Sequence, residues 1–103
     1  MKKTVAGGFV RRMDHVVWKI VDGKGILLNL EDGSYFDVDP VGLSVWQSCD
    51  GRYNPDQIAF QASRTFHADL GKVSKDVNGF IKQLKRRRLV EIVPTPNRAL
   101  ARP

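Results

Sequence analysis

The feature that most constrains this chain is a change of hydrophobic period at Asp39-Pro40. Before it, β-branched and aromatic residues come in short runs broken by glycine-containing turns; after it, apolar residues recur at three- and four-residue spacing. Alternation by two lays one face of a strand on a core, whereas a repeat of about 3.6 lays one stripe of a helix on it, so strands must give way to helices here. Asp39 and Pro40 are themselves a start signal. An aspartate side chain accepts from the free amides of a first helical turn, and a proline at the first position lacks only an N–H that has no helical partner.

Upstream, Val16, Val17, Trp18, Ile20 and Val21 predict a strand over 15–21, closed by the turn Asp22-Gly23-Lys24-Gly25. A second strand is expected from Ile26 to Leu30. Across Glu31-Asp32-Gly33, where Asp-Gly supplies the positive φ of a tight hairpin, Ser34 to Val38 makes the third. Phe36 and Val38 then share one face, Tyr35 and Asp37 the other. Downstream, Val41, Val45, Trp46 and Cys49 fall on one side of a first helix ending at Asp50-Gly51. Asn54-Pro55 repeats the start signal before Ile58, Ala59, Ala62 and Phe66. A third helix begins between Asp69 and Ser74 and runs to about Arg88, with Val73, Val77, Phe80, Ile81 and Leu84 in one stripe. Leu89 to Val93 reads as a last short strand. The fold class is α+β, a three-stranded antiparallel meander followed by three helices. Residues 1–14 are expected to be a flexible segment, with Phe9 and Val10 leaving open a short strand; 15–93 form the domain, and the proline- and arginine-containing 94–103 a disordered tail.

A chain of 103 residues holds one small core and little surface for an enclosed active site. Its net charge of +6 favours an acidic or phosphate-bearing partner. The single cysteine, Cys49, excludes an internal disulfide framework, and no apolar run is long enough to span a bilayer, so a soluble cytoplasmic protein is expected. His15 and His67 have no carboxylate or cysteine at ligand spacing, and no glycine loop fits a phosphate. No cofactor or metal is expected. Trp18 and Trp46 read as packing residues and Cys49 as a buried structural thiol.

Leu27-Leu28-Asn29-Leu30, Gly33-Ser34-Tyr35-Phe36 with Val38-Asp39, Gly42, Val45-Trp46 and Asp50-Gly51 resemble the first half of the PqqD-like proteins. Ile58, Ala59, Asp76-Val77, Phe80, Leu84 and Leu89-Val90 are similar to that family's helical half, so the resemblance runs from about His15 to Glu91. The chain departs from the pattern at Arg88, where the family usually has glycine, and at Asp39, where asparagine is common. The resemblance implies a winged helix-turn-helix-like, non-enzymatic RiPP recognition element, as in pyrroloquinoline quinone and lasso-peptide pathways. Its partners would be the leader of a ribosomally made precursor peptide and a leader peptidase or peptide-modifying enzyme.

In such proteins the leader adds as a strand to the sheet edge, beside the third helix. The last strand of a meander suits that use, because one side of its backbone is unpaired. The candidate binding residues are therefore Ser34, Tyr35, Phe36, Asp37 and Val38 on the strand, with Asp76, Phe80, Gln83 and Arg87 along one border of the third helix's stripe. A solvated edge protected by Asp37 is the plainer reading of the strand. Phe80 as ordinary core is the plainer reading of the helix, and Ser74, Asn78 and Lys85 are the competing border. Arg86, Arg87 and Arg88, with Lys82 and Lys85, suit both a helix C-terminus and attraction of an acidic leader. The rival is a winged-helix DNA-binding protein, against which the arginines lie at the wrong end of the third helix to read bases; neither a membrane nor nucleic acid is the expected partner.

Overall fold

The computed structural model describes residues 8–96. The elements in chain order are β1 (Phe9–Arg12), β2 (Val16–Val21), β3 (Lys24–Asn29), β4 (Tyr35–Val38), α1 (Pro40–Ser48), α2 (Pro55–Thr65), α3 (Leu70–Arg86) and β5 (Val90–Val93). The meander β2-β3-β4 and the three helices follow the expected order. The first hairpin is tighter than expected, since Asp22 and Gly23 both have positive φ and make a two-residue turn. Val21 therefore already pairs with Lys24, and Gly25 lies within β3, opposite Val38.

Both helix starts form as read. Asp39 accepts from the Gly42 amide at 2.7 Å, and Asn54 and Gln57 exchange the reciprocal bonds of a capping box. Leu43, Val45 and Trp46 bury the inner side of α1, whereas Val41, expected in that set, is exposed. Gly25 explains the shift. A Cβ there would lie 2.9 Å from the Leu43 side chain, so its absence opens the place on the sheet that Leu43 fills. Phe66, also expected on an apolar face, is the C-cap of α2 and stays partly exposed. On α3, Val77, Ile81 and Leu84 are buried, with Val73 and Phe80 packed at the margin.

The N-terminal segment departs most from expectation. Instead of a flexible lead over 1–14, Phe9–Arg12 is a strand hydrogen-bonded on both sides. It pairs antiparallel with β5, from Phe9 opposite Val93 to Arg12 opposite Val90. On its other side the Val10 amide donates to Tyr53 and the Arg12 amide to Cys49, and the Val10 carbonyl accepts from Gly51. Val10 is completely buried. Residues 1–7 and 97–103, the rest of the two expected flexible segments, lie outside the described residues.

Arg88 follows α3 with φ of 63°, in the left-handed region where a side chain costs about 1 kcal/mol relative to glycine. It is held there from several sides. Its amide donates to Lys85, its carbonyl accepts from His15 Nε2 at 2.9 Å, and its guanidinium lies 3.6 Å from Glu31.

Val10→Ala should lower unfolding free energy by about 2 kcal/mol, the transfer and cavity cost of two buried methyl groups, in a urea titration. An unchanged midpoint would return β1 to a loose tail. Arg88→Gly should raise stability by about 1 kcal/mol in the same measurement, through relief of the left-handed backbone; a loss would mean that its side-chain contacts outweigh the strain.

Candidate functional site

β4 is the outer strand of the meander, and among the described residues no strand pairs with its far side. The Asn29 amide donates to the Ser34 carbonyl at 2.8 Å, and pairing continues through Leu28–Tyr35 to Gly25–Val38. The alternation of an antiparallel ladder then turns the main-chain groups of Phe36 and Val38 toward β3 and those of Tyr35 and Asp37 outward. Ser34, expected within this edge, belongs to the turn instead. Its amide and hydroxyl both donate to Asp32 Oδ1, at 2.9 and 2.6 Å, and its carbonyl is taken by Asn29. Those two donors hold the Asp32 carboxyl below its ordinary pKa. The side chains of Phe36 and Val38 pack inward as expected, and those of Tyr35 and Asp37 are exposed.

Along α3, Asp76 and Phe80, with Val73 and Val77, form one wall of an apolar cleft of about 380 Å³. Asp39, Val41, Gly42 and Val45 at the start of α1 form the other. The cleft adjoins the end of β4, because Val38 passes through Asp39 directly into α1. Further along α3, Gln83 and Arg87 line a second depression with Arg86. The Arg87 guanidinium lies 4.8 Å from the centre of the Phe36 ring and so bridges α3 to β4. The structure thus groups Asp76 with Phe80, Gln83 with Arg87, and Arg87 with Phe36. On the competing border, Asn78 spends its side-chain amide on the Ser74 carbonyl at 2.8 Å.

Buried Asn29 fixes this arrangement. Its Nδ2 donates to the Arg87 carbonyl at 3.3 Å and its Oδ1 accepts from the Glu31 amide at 2.8 Å, tying the end of α3 to the β3–β4 turn. His15 and Arg88 both approach Glu31 and reinforce the tie. Sequence reasoning missed Asn29, Val41, Gly42 and Val73 as parts of this region, whereas Arg86 was read with Arg87 and Arg88 as a cluster that attracts an acidic leader. A buried asparagine in an apolar strand was the available signal for the first; Val41 looked like core by helical spacing.

The family model described as "Coenzyme PQQ synthesis protein D (PqqD)" matches residues 24–90. A relative from Rhizobium meliloti (strain 1021), described as "PqqA binding protein", is 34% identical over 73 residues, which are 71% of this chain and 72% of that protein. Among solved structures, TbiB1 in complex with the TbiA(beta) leader peptide aligns with a TM-score of 0.72 and 28% identity, over 79% of this chain and 94% of that one. The PqqD truncation of Methylobacterium extorquens PqqCD, described as a stand-alone RiPP recognition element, aligns with a TM-score of 0.66 and 26% identity, over 82% and 96%.

The other reactive groups are occupied structurally. Cys49 is fully buried, donates to the Val45 carbonyl at 3.2 Å, and has its thiol pushed up to about 12 by burial. A thiol protonated at neutral pH is a poor nucleophile. Among the described residues no group of three His, Cys, Asp or Glu could hold a metal ion, and no helix is long and apolar enough to cross a membrane.

Because the folded-state pKa of Cys49 is raised, its contribution to stability is fully present below the ordinary thiol value of 9.0 and is lost as pH rises toward about 12. The stability of the wild type relative to Cys49→Ala should therefore be constant from pH 6 to 8. Above pH 9 it should fall by about 1.4 kcal/mol per pH unit, measured by denaturant titration. A constant difference up to pH 11 would show that the thiol ionises in the folded protein as readily as in the unfolded chain.

Proposed function

The chain belongs to the PqqD family, and on that premise we propose that it binds the leader of a ribosomally made precursor peptide by β-strand addition to β4 and delivers it to a processing or modifying enzyme. It acts in the cytoplasm and catalyses no step itself. The observation that carries this reading is the pairing of an open strand edge with a helix border, joined where Arg87 lies over Phe36. The edge supplies directional main-chain pairing, and the border supplies side-chain selection. The relative described as binding PqqA and the aligned complex with a leader peptide support a peptide as the occupant.

Magnitudes assign different work to the two walls. Tyr35 and Asp37 offer two donors and two acceptors, worth together about 4 kcal/mol at roughly 1 kcal/mol per net hydrogen bond. Micromolar affinity requires about 8 kcal/mol, and association also costs translational and rotational freedom. Side chains of the leader must therefore supply the larger part, in the cleft between α1 and α3 and along Gln83 and Arg87. The base of the site is firm enough for this, since Val38, Val45 and Val77 are all buried.

Peptides selected from a displayed random library on the immobilised protein should protect the amides of Tyr35 and Asp37 from hydrogen exchange, while those of α2 remain unchanged. Asp37→Pro removes one outward donor without touching the β3–β4 ladder, so it should weaken such peptides by about tenfold and change stability by under about 1 kcal/mol. Peptides that bind Asp37→Pro as tightly as the wild type, or that protect α2 instead, would show that β4 is not the receiving edge.

A further inference from the structure

Asp76 and Arg87 occupy opposite ends of one border of α3, and neither forms an ion pair among the described residues. Asp39 stands beside Asp76 across the cleft, and Arg86 beside Arg87. The region is thus acidic at one end and basic at the other. Resting on the groove proposed above, we infer that it selects a leader by charge polarity: a carboxylate side chain docks on Arg87, and a lysine or arginine fills the cleft beneath Asp39 and Asp76.

Arg87 is preorganised for a carboxylate. Its planar guanidinium lies over the Phe36 ring, which leaves N–H edges free for a two-pronged contact, and Asn29 holds its carbonyl. This contact with the ring removes part of the side-chain freedom that an arginine otherwise loses on binding. The cleft suits a long cationic side chain for a different reason. Val41, Val73 and Phe80 line it with apolar surface that takes a methylene stem, while Asp39 and Asp76 in the same lining offer carboxylates to the charged head. Asp39 is itself oriented by the Gly42 amide.

The helix sets the spacing. Positions 76 and 87 are about 16 Å apart along α3 at about 1.5 Å per residue, which an extended peptide covers in about five residues at roughly 3.3 Å each. Side chains facing α3 from an added strand are an even number of residues apart, so the acid and the base in the leader are four or six positions apart.

The test uses a displayed library of random 14-residue peptides, selected in parallel on the wild type and on Arg87→Glu, Arg87→Lys, Asp76→Lys and Arg64→Glu. Arg64 lies on α2 over Phe60, so its variant changes net charge outside the groove. Wild type and Arg64→Glu should enrich the same pattern, one acid and one base four or six positions apart. Arg87→Glu should replace the acid by a base, and Asp76→Lys should lose the original base. Wild-type binders should weaken about tenfold on Arg87→Glu and less on Arg87→Lys, with the difference shrinking at high salt. Binders that protect the Tyr35 and Asp37 amides yet show no charge pattern would overturn the polarity rule and leave the groove standing. No enrichment at all, or protection away from β4, would overturn the groove itself.

Discussion

The contact on which the rest of the structure depends joins Arg12 to Trp46. Trp46 is completely buried on a nine-residue helix, too short to persist without tertiary contacts. Trp18 of β2 meets it edge to face at 6.3 Å, and the Arg12 guanidinium lies 5.5 and 5.8 Å from the two ring centres. The same guanidinium donates to the carbonyls of Trp46 and Gln47 at 2.9 and 3.0 Å. The last turn of α1 has no basic residue of its own, so the cation that favours its carbonyl end comes from β1. One side chain thereby seats β1, ends α1 and covers the indoles between helix and sheet.

With α1 fixed at its far end, its near end determines the groove. Asp39 connects β4 to α1 without intervening chain, so Val41 and Gly42 stand at the mouth of the cleft while Leu43 drops onto the sheet over Gly25. The last strand, β5, pairs with β1 rather than with β4, and that choice leaves the β4 edge without a partner strand among the described residues. An open edge risks pairing with unintended strands, and this one is kept short and carries the charged Asp37. The other wall, α3, is seated on the core by Val77, Ile81 and Leu84, and polar contacts fix its end. Asn29 of β3 holds the Arg87 carbonyl at the end of α3, where the Arg87 guanidinium lies over Phe36, and the left-handed Arg88 turns the chain from α3 into β5.

Much of this was legible residue by residue. Asp39-Pro40 and Asn54-Pro55 start helices, Asp32-Gly33 turns the hairpin, and the stripe Val77, Ile81, Leu84 buries α3, because each signal acts through backbone geometry within a few residues. The third meander strand was also legible as an edge, although the turn claims Ser34. The border of α3 carrying Asp76, Phe80, Gln83 and Arg87 could be listed as a set of neighbours from the helical repeat, but not chosen over the border carrying Ser74, Asn78 and Lys85.

The amino-acid sequence by itself determined element type, order, helix starts and the apolar stripes, since these follow from local dihedral preferences and side-chain period. Tertiary structure alone decided that Phe9–Arg12 is a strand, because its partners are Cys49, Gly51, Tyr53 and β5, all far along the chain. It also decided that Leu43 rather than Val41 is buried, that Arg88 takes positive φ, and that Arg87 rests on Phe36. In each case the deciding energy comes from a surface supplied by a distant segment, whether an unpaired carbonyl, a missing Cβ or a buried amide, and no window of neighbouring residues contains that surface.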